Sequence, residues 1–158
     1  MKVFWENGQT NVECKGGESM KYVRDVMTTD VETCTTLDNV YEVALKMKEL
    51  NVGSIPIVDQ DRLIGLITDR DLVIRGIAEK KPNSSKVTDV MSDKLVTVSS
   101  ESTVEEAVKI MANHQIRRLP VVEGNKLIGV VALGDLSTYR FTDEQAGQAL
   151  SRISNQLH

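Results

Sequence analysis

The pattern of hydrophobic and polar residues from position 20 to position 78 predicts one compact folding unit. Residues 22–27 are typical of a short helical turn, and residues 31–35 alternate and are rich in β-branched side chains, as in a strand. Asp38 is expected to cap the next helix, which should end near Asn51. Apolar residues recur on one face of that helix: Val40, Val43, Ala44, Met47 and Leu50.

The remainder of this unit is predicted to be a hairpin followed by a second helix. Residues 54–58 form a short buried strand, a polar turn occupies residues 59–61, and residues 63–68 form the return strand. Residues 69–78 then favour a helix. The order of the main elements is therefore β-α-β-β-α.

The same order returns in residues 87–140. Residues 95–98 are strand-like, and Ser102 with Glu105 matches a capping box at the start of a helix. The apolar face of that helix consists of Val104, Ala107, Val108 and Met111. The second hairpin is predicted from a strand at 119–122, a turn at 123–125 and a strand at 127–131.

The two units are copies of each other without a gap. Asp-Val-Met at residues 25–27 returns at 89–91, and Leu-Ile-Gly at 63–65 returns at 127–129, each 64 positions later. A unit of roughly sixty residues buries too little apolar surface to be comfortably stable alone. We therefore expect each copy to cover the other, and we expect a small ligand to bind in the cleft between them. The predicted fold class is α/β (α+β), with pseudo-two-fold symmetry.

The flanking segments lie outside the repeat. Residues 1–19 show neither strand alternation nor a helical stripe, and two readings remain open: an ordinary flexible arm, or translated non-coding sequence before a native start at Met20. Residues 79–86 are a polar, proline-containing linker between repeat one (20–78) and repeat two (87–140). Residues 141–158 are predicted to form a C-terminal helix, with a stripe of Ala146, Leu150, Ile153 and Leu157.

Composition narrows the class of protein. The chain is 41% hydrophobic but only 4% aromatic, so the core must be built from aliphatic residues. A net charge of −4 argues against a nucleic-acid partner. Cys14 and Cys34 have no metal-ligand spacing and favour a reduced, cytoplasmic protein. No apolar stretch is long enough to cross a membrane.

The sequence shows no sign of catalysis. No nucleophile–base pair and no glycine-rich phosphate loop of the GxxxxGK type is recognisable. With two histidines and no convergent ligand set, a catalytic metal is not expected. His114 stands at the end of a helical stripe and is predicted to be a partly buried structural residue. We expect no enzymatic activity and no required cofactor.

The duplicated motifs together resemble a tandem CBS-domain pair, also called a Bateman module. The residues that carry the resemblance are Asp-Val-Met at 25–27 and 89–91, Ser-Ile-Pro-Ile-Val-Asp at 54–59 with Arg-Leu-Pro-Val-Val-Glu at 118–123, and Leu-Ile-Gly-Leu-Ile-Thr-Asp-Arg-Asp at 63–71. The match runs from about Met20 to Arg140. It implies binding of adenosine-containing nucleotides (AMP, ADP, ATP or another adenosyl compound) between the repeats, regulation of a separate protein, and homodimers of pairs.

Thr68 and Asp71 are the main candidate site residues. In the family that is resembled, the threonine of this T-x-x-D pattern bonds a phosphate, and the aspartate takes the ribose hydroxyls. The same two residues also match a capping box, so a structural role is the alternative. In the second repeat Asp135 is kept, while Ala132 replaces the threonine. Phosphate binding there is in doubt, and the two sites should differ in affinity.

The other candidates surround the strand prolines. Basic residues stand before the second proline, and the resemblance implies that Arg118, together with Arg117, completes the site begun by Thr68 and Asp71 by reaching a phosphate. Arg70 is a further candidate at a helix start. For each arginine the alternative is a solvated surface residue or an ion pair at a dimer interface. Ile55 and Leu119 are expected to face the adenine, although both also fit the core.

Two functions follow from these expectations. The first is a regulatory module that senses adenosine-containing nucleotides and acts in trans, because no effector domain accompanies the repeats. The second is a non-catalytic scaffold or stress-associated interaction protein with weak or no nucleotide binding, which the loss of threonine at Ala132 slightly favours.

Overall fold

The computed structural model describes residues 20–137 and residue 151. The predicted leader (1–19) and nearly all of the predicted C-terminal helix (141–158) lie outside the described residues. The strands are β1 Cys34–Thr35, β2 Ser54–Asp59, β3 Arg62–Thr68, β4 Val98–Ser99, β5 Arg118–Glu123 and β6 Lys126–Ala132. The helices are α1 Val40–Leu50, α2 Asp69–Asp71 with a π-helical continuation Leu72–Ile77, α3 Val104–His114 and α4 Leu133–Ser137. Short 3-10 turns lie at Val23–Asp25 and Val87–Asp89.

The described strands form one six-stranded sheet in the order β1-β2-β3-β6-β5-β4. Each repeat supplies an antiparallel hairpin and a short parallel edge strand. The hairpins meet at the Arg62–Lys126 pair, where Leu63 N donates to Asn125 O (3.0 Å) and Leu127 N donates to Asp61 O (3.1 Å). These two bonds are related by the 64-residue offset, so the predicted pseudo-two-fold symmetry is confirmed.

Both long helices begin one residue later than predicted. Asn39, not Asp38, caps α1, because Asn39 Oδ1 accepts from Glu42 N at 3.0 Å. Asp38 instead accepts from Thr35 N at 2.6 Å and closes the turn after β1. In the second repeat Thr103 and Glu106 form the capping box in place of the predicted Ser102 and Glu105. Asp38 and Ser102 were wrong as predicted caps because the residue that follows each of them, Asn39 or Thr103, is also a good cap and takes the role.

The edge strands are shorter than their alternation predicted. Of residues 31–35 only Cys34 and Thr35 join the sheet, and of residues 95–98 only Val98 does, followed by Ser99. Val31 and Glu32 instead line a cleft between the repeats. His114, predicted to be partly buried, is exposed.

The two repeats exchange their opening segments. Val87 and Val90, which begin the second repeat in sequence, lie in the core of the first repeat, and Val23 lies in the core of the second. Val23 N donates to Ser102 O at 2.8 Å, and its counterpart Val87 N donates to Asp38 O at 3.2 Å. All three valines are fully buried. Each repeat therefore completes the apolar core of the other.

The exchanged segments are held by the repeated motifs themselves. Met91 packs on Gly65, and Met27 packs on Gly129. A side chain at Gly129 would place its Cβ 2.9 Å from both Met27 Sδ and the carbonyl oxygen of Thr28. The Asp-Val-Met and Leu-Ile-Gly motifs thus contact each other across the repeats, which explains physically why they occur together.

Candidate functional site

A cavity of about 330 Å³ lies between the repeats. This volume is in the range of small-molecule sites. Its centre is built from three pairs of residues that are 64 positions apart: Ser54 and Arg118, Pro56 and Pro120, Leu66 and Val130. Because both members of each pair line it, the cavity reaches across the pseudo-two-fold axis.

The outer wall of the cavity comes from one side of that axis. It consists of Thr28, Asp30, Val31, Glu32, Leu50, Val52, Ala132 and Asp135. We call this cavity the Asp135 cleft. The segment that carries Asp30 and Glu32 is anchored by the bridge between Thr28 and Val130, with N–O distances of 2.9 Å in both directions.

The matching position on the other side of the axis is named here the Asp71 cleft. Its outer residues are those that stand 64 positions before or after the outer-wall residues of the Asp135 cleft: Thr68, Asp71, Ser92, Lys94, Leu95, Val96, His114 and Ile116. The bridge between Leu66 and Ser92 (2.8 and 3.0 Å) repeats the anchor between Thr28 and Val130. The backbone anchor is therefore the same on both sides of the axis, whereas the outer side chains differ.

Thr68 and Asp71 form the capping box that was the structural alternative. Asp71 Oδ2 accepts from Thr68 N (3.0 Å) and from Thr68 Oγ1 (2.8 Å), and Thr68 Oγ1 accepts from Asp71 N (3.1 Å). The Asp71 side chain keeps 19% of its surface exposed, and its Oδ1 lies 3.8 Å from Arg75 Nε. The inner oxygen is thus occupied by the helix start, and the outer one lies towards Arg75.

Arg75 is a residue that the sequence analysis missed. Its Nη1 donates to the carbonyl oxygens of Met91 (2.9 Å) and Val90 (3.4 Å). Arg75 therefore links Asp71 to the exchanged segment of the second repeat. Its spacing of four residues from Asp71 was a visible signal for an ion pair, but the carbonyl partners could only come from the tertiary fold.

The structure places the predicted arginines in different surroundings. Arg118 lines the Asp135 cleft and pairs with Ala132 across the second hairpin. Arg117 is exposed, and its carbonyl oxygen accepts from Leu133 N at 2.8 Å. Arg70 is also exposed, and its backbone N–H donates to Asp69 Oδ1. Of the three arginines only Arg118 is among the residues that line the Asp135 cleft, where Asp135 joins it.

Ile55 and Leu119 belong to the cores and do not line the Asp135 cleft. Ile55 is 1% exposed in the first core, and Leu119 is 0% exposed in the second. Alternation along β2 and β5 turns the next residues, Pro56 and Pro120, to the cleft instead. The apolar wall of the cleft is therefore formed by the prolines.

Two other kinds of reactive group occur in the described part of the chain, a buried cysteine and side chains of the types that bind metals. Burial raises the pKa of the Cys34 thiol, which stays protonated and is a poor nucleophile. Within residues 20–137 no three His, Cys, Asp or Glu side chains come together as metal ligands would. None of the helices described is long and apolar enough to cross a membrane.

Comparison with known proteins identifies a family. The model of the CBS domain matches residues 23–76 and 87–141. The uncharacterized protein YlbB of Bacillus subtilis is 56% identical over 137 residues, which cover 85% of this chain and 93% of YlbB. The crystal structure of Hypoxic Response Protein I with two coordinated zinc ions superposes with a TM-score of 0.70 at 33% identity, over 76% of this chain and 99% of that one. The crystal structure of CBSX2 in complex with AMP gives 0.67 at 25% identity, over 75% and 94%.

Proposed function

The chain belongs to the CBS domain family, as a tandem pair of repeats, and from this we propose that it is a regulatory module that senses adenosine-containing nucleotides between the repeats and acts in trans on a partner protein. The observation that carries the proposal is the cavity of about 330 Å³ that both repeats build together. A neighbour with the same fold, CBSX2, is described as a complex with AMP.

The Asp71 cleft is the proposed site for a phosphorylated nucleotide. Asp71 keeps part of its carboxylate exposed, and a carboxylate binds both hydroxyls of a ribose through charge-assisted hydrogen bonds. Thr68 offers its hydroxyl beside Asp71, and Lys94 stands at a matching outer position. Arg118 lines the part of the cavity that crosses the axis, and from there it would supply positive charge from the second repeat. Arg70 and Arg117 are retained as outer contributors, whereas Ile55 and Leu119 act through the core.

The exchanged segments could transmit the effect of a bound ligand to the surface of the protein. A ligand held by Asp71 acts on Arg75, which bonds the carbonyl oxygens of Met91 and Val90 in the other repeat. A ligand that binds one arrangement of the repeats better than another shifts the population towards it by that difference in affinity. A partner protein would recognise the surface of the arrangement that the ligand favours.

Substitution of Asp71 and Thr68 tests this function. In titration calorimetry with adenosine, AMP, ADP and ATP, we expect Asp71→Ala to abolish measurable binding at this cleft, because the carboxylate that holds the ribose is lost. Thr68→Ala should weaken the phosphorylated ligands by about tenfold, the factor that corresponds to about 1.4 kcal/mol, and leave adenosine nearly unchanged.

The matched control is Thr103→Ala. Thr103 caps α3 in the same way, so Thr103→Ala should lower the free energy of unfolding by a comparable amount, about 1 kcal/mol, without changing the cleft. Equal weakening of adenosine and AMP by Thr68→Ala would remove the phosphate role from Thr68. If the wild-type protein gives no binding heat with any of these ligands, the scaffold function is favoured. The absence of a hydroxyl at Ala132 also supports that function.

We also propose that the protein is a homodimer joined through its first repeat. α1 and the helix at 69–77 pack side by side and expose apolar side chains. These are Tyr41 (58% exposed), Leu45 (38%), Val73 (51%), Ile74 (50%) and Ile77 (74%), which we call the first-repeat surface. The residues 64 positions after Tyr41 and Leu45 are Glu105 and Lys109. Among the described residues, the large apolar side chains that are exposed all lie between residues 20 and 77, so contact with the same surface of a second copy would bury this surface in both partners.

The double variant Tyr41→Glu, Leu45→Lys is expected to be monomeric. It installs on α1 the residues that α3 carries at the same positions, so the helix itself tolerates them. Sedimentation velocity should show a shift from dimer to monomer with an unchanged circular dichroism spectrum. Glu105→Gln, Lys109→Gln in the second repeat should leave the dimer intact. A variant that remains dimeric at the same concentration contradicts the proposed interface.

The proposed compartment is the cytoplasm. Cys34 is a free thiol, 1% exposed, in the core of the first repeat. A buried free thiol is typical of proteins in a reducing compartment.

A further inference from the structure

The helix that carries Asp71 changes its hydrogen-bond register directly after that residue. Leu72–Ile77 form a π-helix, in which an N–H donates to the carbonyl oxygen five residues earlier. Ala78 N, for example, donates to Val73 O at 2.9 Å. At the matching position of the second repeat, Leu136 belongs to the α-helix α4. The same position of the repeated unit thus occurs in both registers.

The local sequence does not account for the π register. Val73, Ile74 and Ile77 are β-branched, and Gly76 is the weakest helix former apart from proline, so the segment has a low intrinsic preference for a helix. π-Helical turns are rare and occur frequently at functional sites. Because helical stability in proteins comes mostly from tertiary packing, we expect the contacts of this segment to decide its register.

Arg75 ties the π-helical segment to both repeats. Its Nη1 donates to the carbonyl oxygens of Met91 (2.9 Å) and Val90 (3.4 Å), which belong to the exchanged segment of the second repeat. Its Nε lies 3.8 Å from Asp71 Oδ1. These partners fix where residue 75 lies around the helix axis. In an α register residue 75 would lie further round the axis and away from these carbonyl oxygens.

The register also places part of the first-repeat surface. Val73, Ile74 and Ile77 are exposed members of that surface and lie in the π-helical segment. An α-helix turns by about 100° per residue, and a π-helix turns by less because it has one more residue between bonded groups. A change to the α register would therefore rotate Ile77 about the helix axis relative to Tyr41 and Leu45 on α1.

Asp71 connects this register to the cleft. Asp71 Oδ2 already accepts from Thr68 N at 3.0 Å and from Thr68 Oγ1 at 2.8 Å. A ribose diol on Asp71 would therefore take Oδ1, the oxygen that lies 3.8 Å from Arg75 Nε. Ribose hydroxyls on this oxygen compete with Arg75 for the same carboxylate.

We propose that Arg75 is a positioning residue whose bonds to Val90 and Met91 hold residues 72–77 in the π register, and that a ribose on Asp71 loosens this hold and shifts the population towards the α register. Occupancy of the Asp71 cleft is in this way transmitted to the first-repeat surface. The ligand part of this inference rests on the proposed function, because it takes the ribose on Asp71 from there, whereas the role of Arg75 in the register does not.

NMR identifies the register directly. A scalar coupling across a hydrogen bond joins an amide nitrogen to the carbonyl carbon of its acceptor. In the isotope-labelled full-length protein, Ala78 N should couple to the carbonyl carbon of Val73. Arg75→Gln should move this coupling to Ile74, the acceptor in an α-helix, with an unchanged circular dichroism spectrum. A coupling that stays on Val73 in this variant overturns the role of Arg75.

The matched control is Arg62→Gln, in an exposed arginine of β3 outside the helix, which should leave Ala78 bonded to Val73. Asp71→Asn keeps the shape of the side chain and removes the charge that faces Arg75. It should move the Ala78 amide resonance along the line that joins the wild type to Arg75→Gln. Saturation of the wild type with AMP should move this resonance in the same direction.

The outcomes separate this inference from nucleotide sensing. If AMP shifts the amide resonances of Thr68 and Asp71 but leaves that of Ala78 in place, nucleotide sensing stands and the coupling to the register is overturned. If the wild type binds no nucleotide, the proposed function and the ligand part fall together. The Arg75→Gln spectrum then still decides, without any ligand, whether Arg75 holds the π register.

Discussion

Gly129→Ala is expected to lower the free energy of unfolding by about 1–3 kcal/mol, the usual cost of overpacking. The added Cβ would lie 2.9 Å from Met27 Sδ and 2.9 Å from the carbonyl oxygen of Thr28. Met27 can move aside, but the Thr28 carbonyl is fixed because it accepts from Val130 N in the bridge between the repeats. Urea unfolding followed by circular dichroism measures the loss.

Two further glycines make this prediction sharper. At Gly65 the three atoms nearest to the added Cβ all belong to the flexible side chain of Met91, so Gly65→Ala should be less harmful than Gly129→Ala. At Gly76, inside a helical segment, no atom beyond the chain neighbours and the backbone of its own helix lies within 4 Å of the added Cβ, and Gly76→Ala should be neutral or stabilising. If Gly129→Ala proved as stable as Gly76→Ala, the close contact between the exchanged segment and β6 would not exist in solution.

Val23→Ala is expected to destabilise the protein by about 2 kcal/mol through the cavity it leaves, and to loosen the second repeat although Val23 belongs to the first repeat in sequence. Val23 is fully buried against α3 and β5 residues of the second core. Its counterpart Val87 is fully buried in the first core. Val87→Ala should therefore loosen α1 instead of α3.

Hydrogen exchange measured by mass spectrometry distinguishes these effects. Val23→Ala should lower the protection of the amides in α3 more than in α1, and Val87→Ala should do the reverse. Leu37→Ala is the control, because Leu37 is 93% exposed and surface truncations usually change stability by less than about 0.5 kcal/mol. Loss of protection in the repeat that is nearer in sequence would contradict the exchange of opening segments.

The local elements were predictable because their signals are local. The hairpins follow from turn residues between apolar runs, and the structure places both where the sequence does, with Gln60 and Asp61 at positive φ in the first turn. Caps were missed by one residue because Asp38 and Asn39 are both good caps, and the bond from Thr35 N to Asp38 decides between them.

The candidate site was predictable only in part. Arg118 and Asp135 line the same cleft, whereas the sequence analysis assigned Arg118 to the site of Thr68 and Asp71. Arg75 could not be found in this way, because its partner Met91 is sixteen residues away and is brought to it by the fold. Likewise, Ile55 and Leu119 differ from the adjacent prolines only in the face of the strand on which they lie, and the direction of that face is set by the core.

The sequence by itself determined that this protein is a duplicated β-α-β-β-α unit of the CBS type, because periodicity, turns and a 64-residue offset are properties of the chain alone. The tertiary structure decided which core each opening segment enters. Val23 and Val87 are the same residue type in the same local motif, 64 positions apart, and both are fully buried, so no local preference could choose between the two cores. Only the joining of the two hairpins into one sheet brings each segment to the opposite repeat, and it sets Asp30 and Glu32 into a cleft with Asp135.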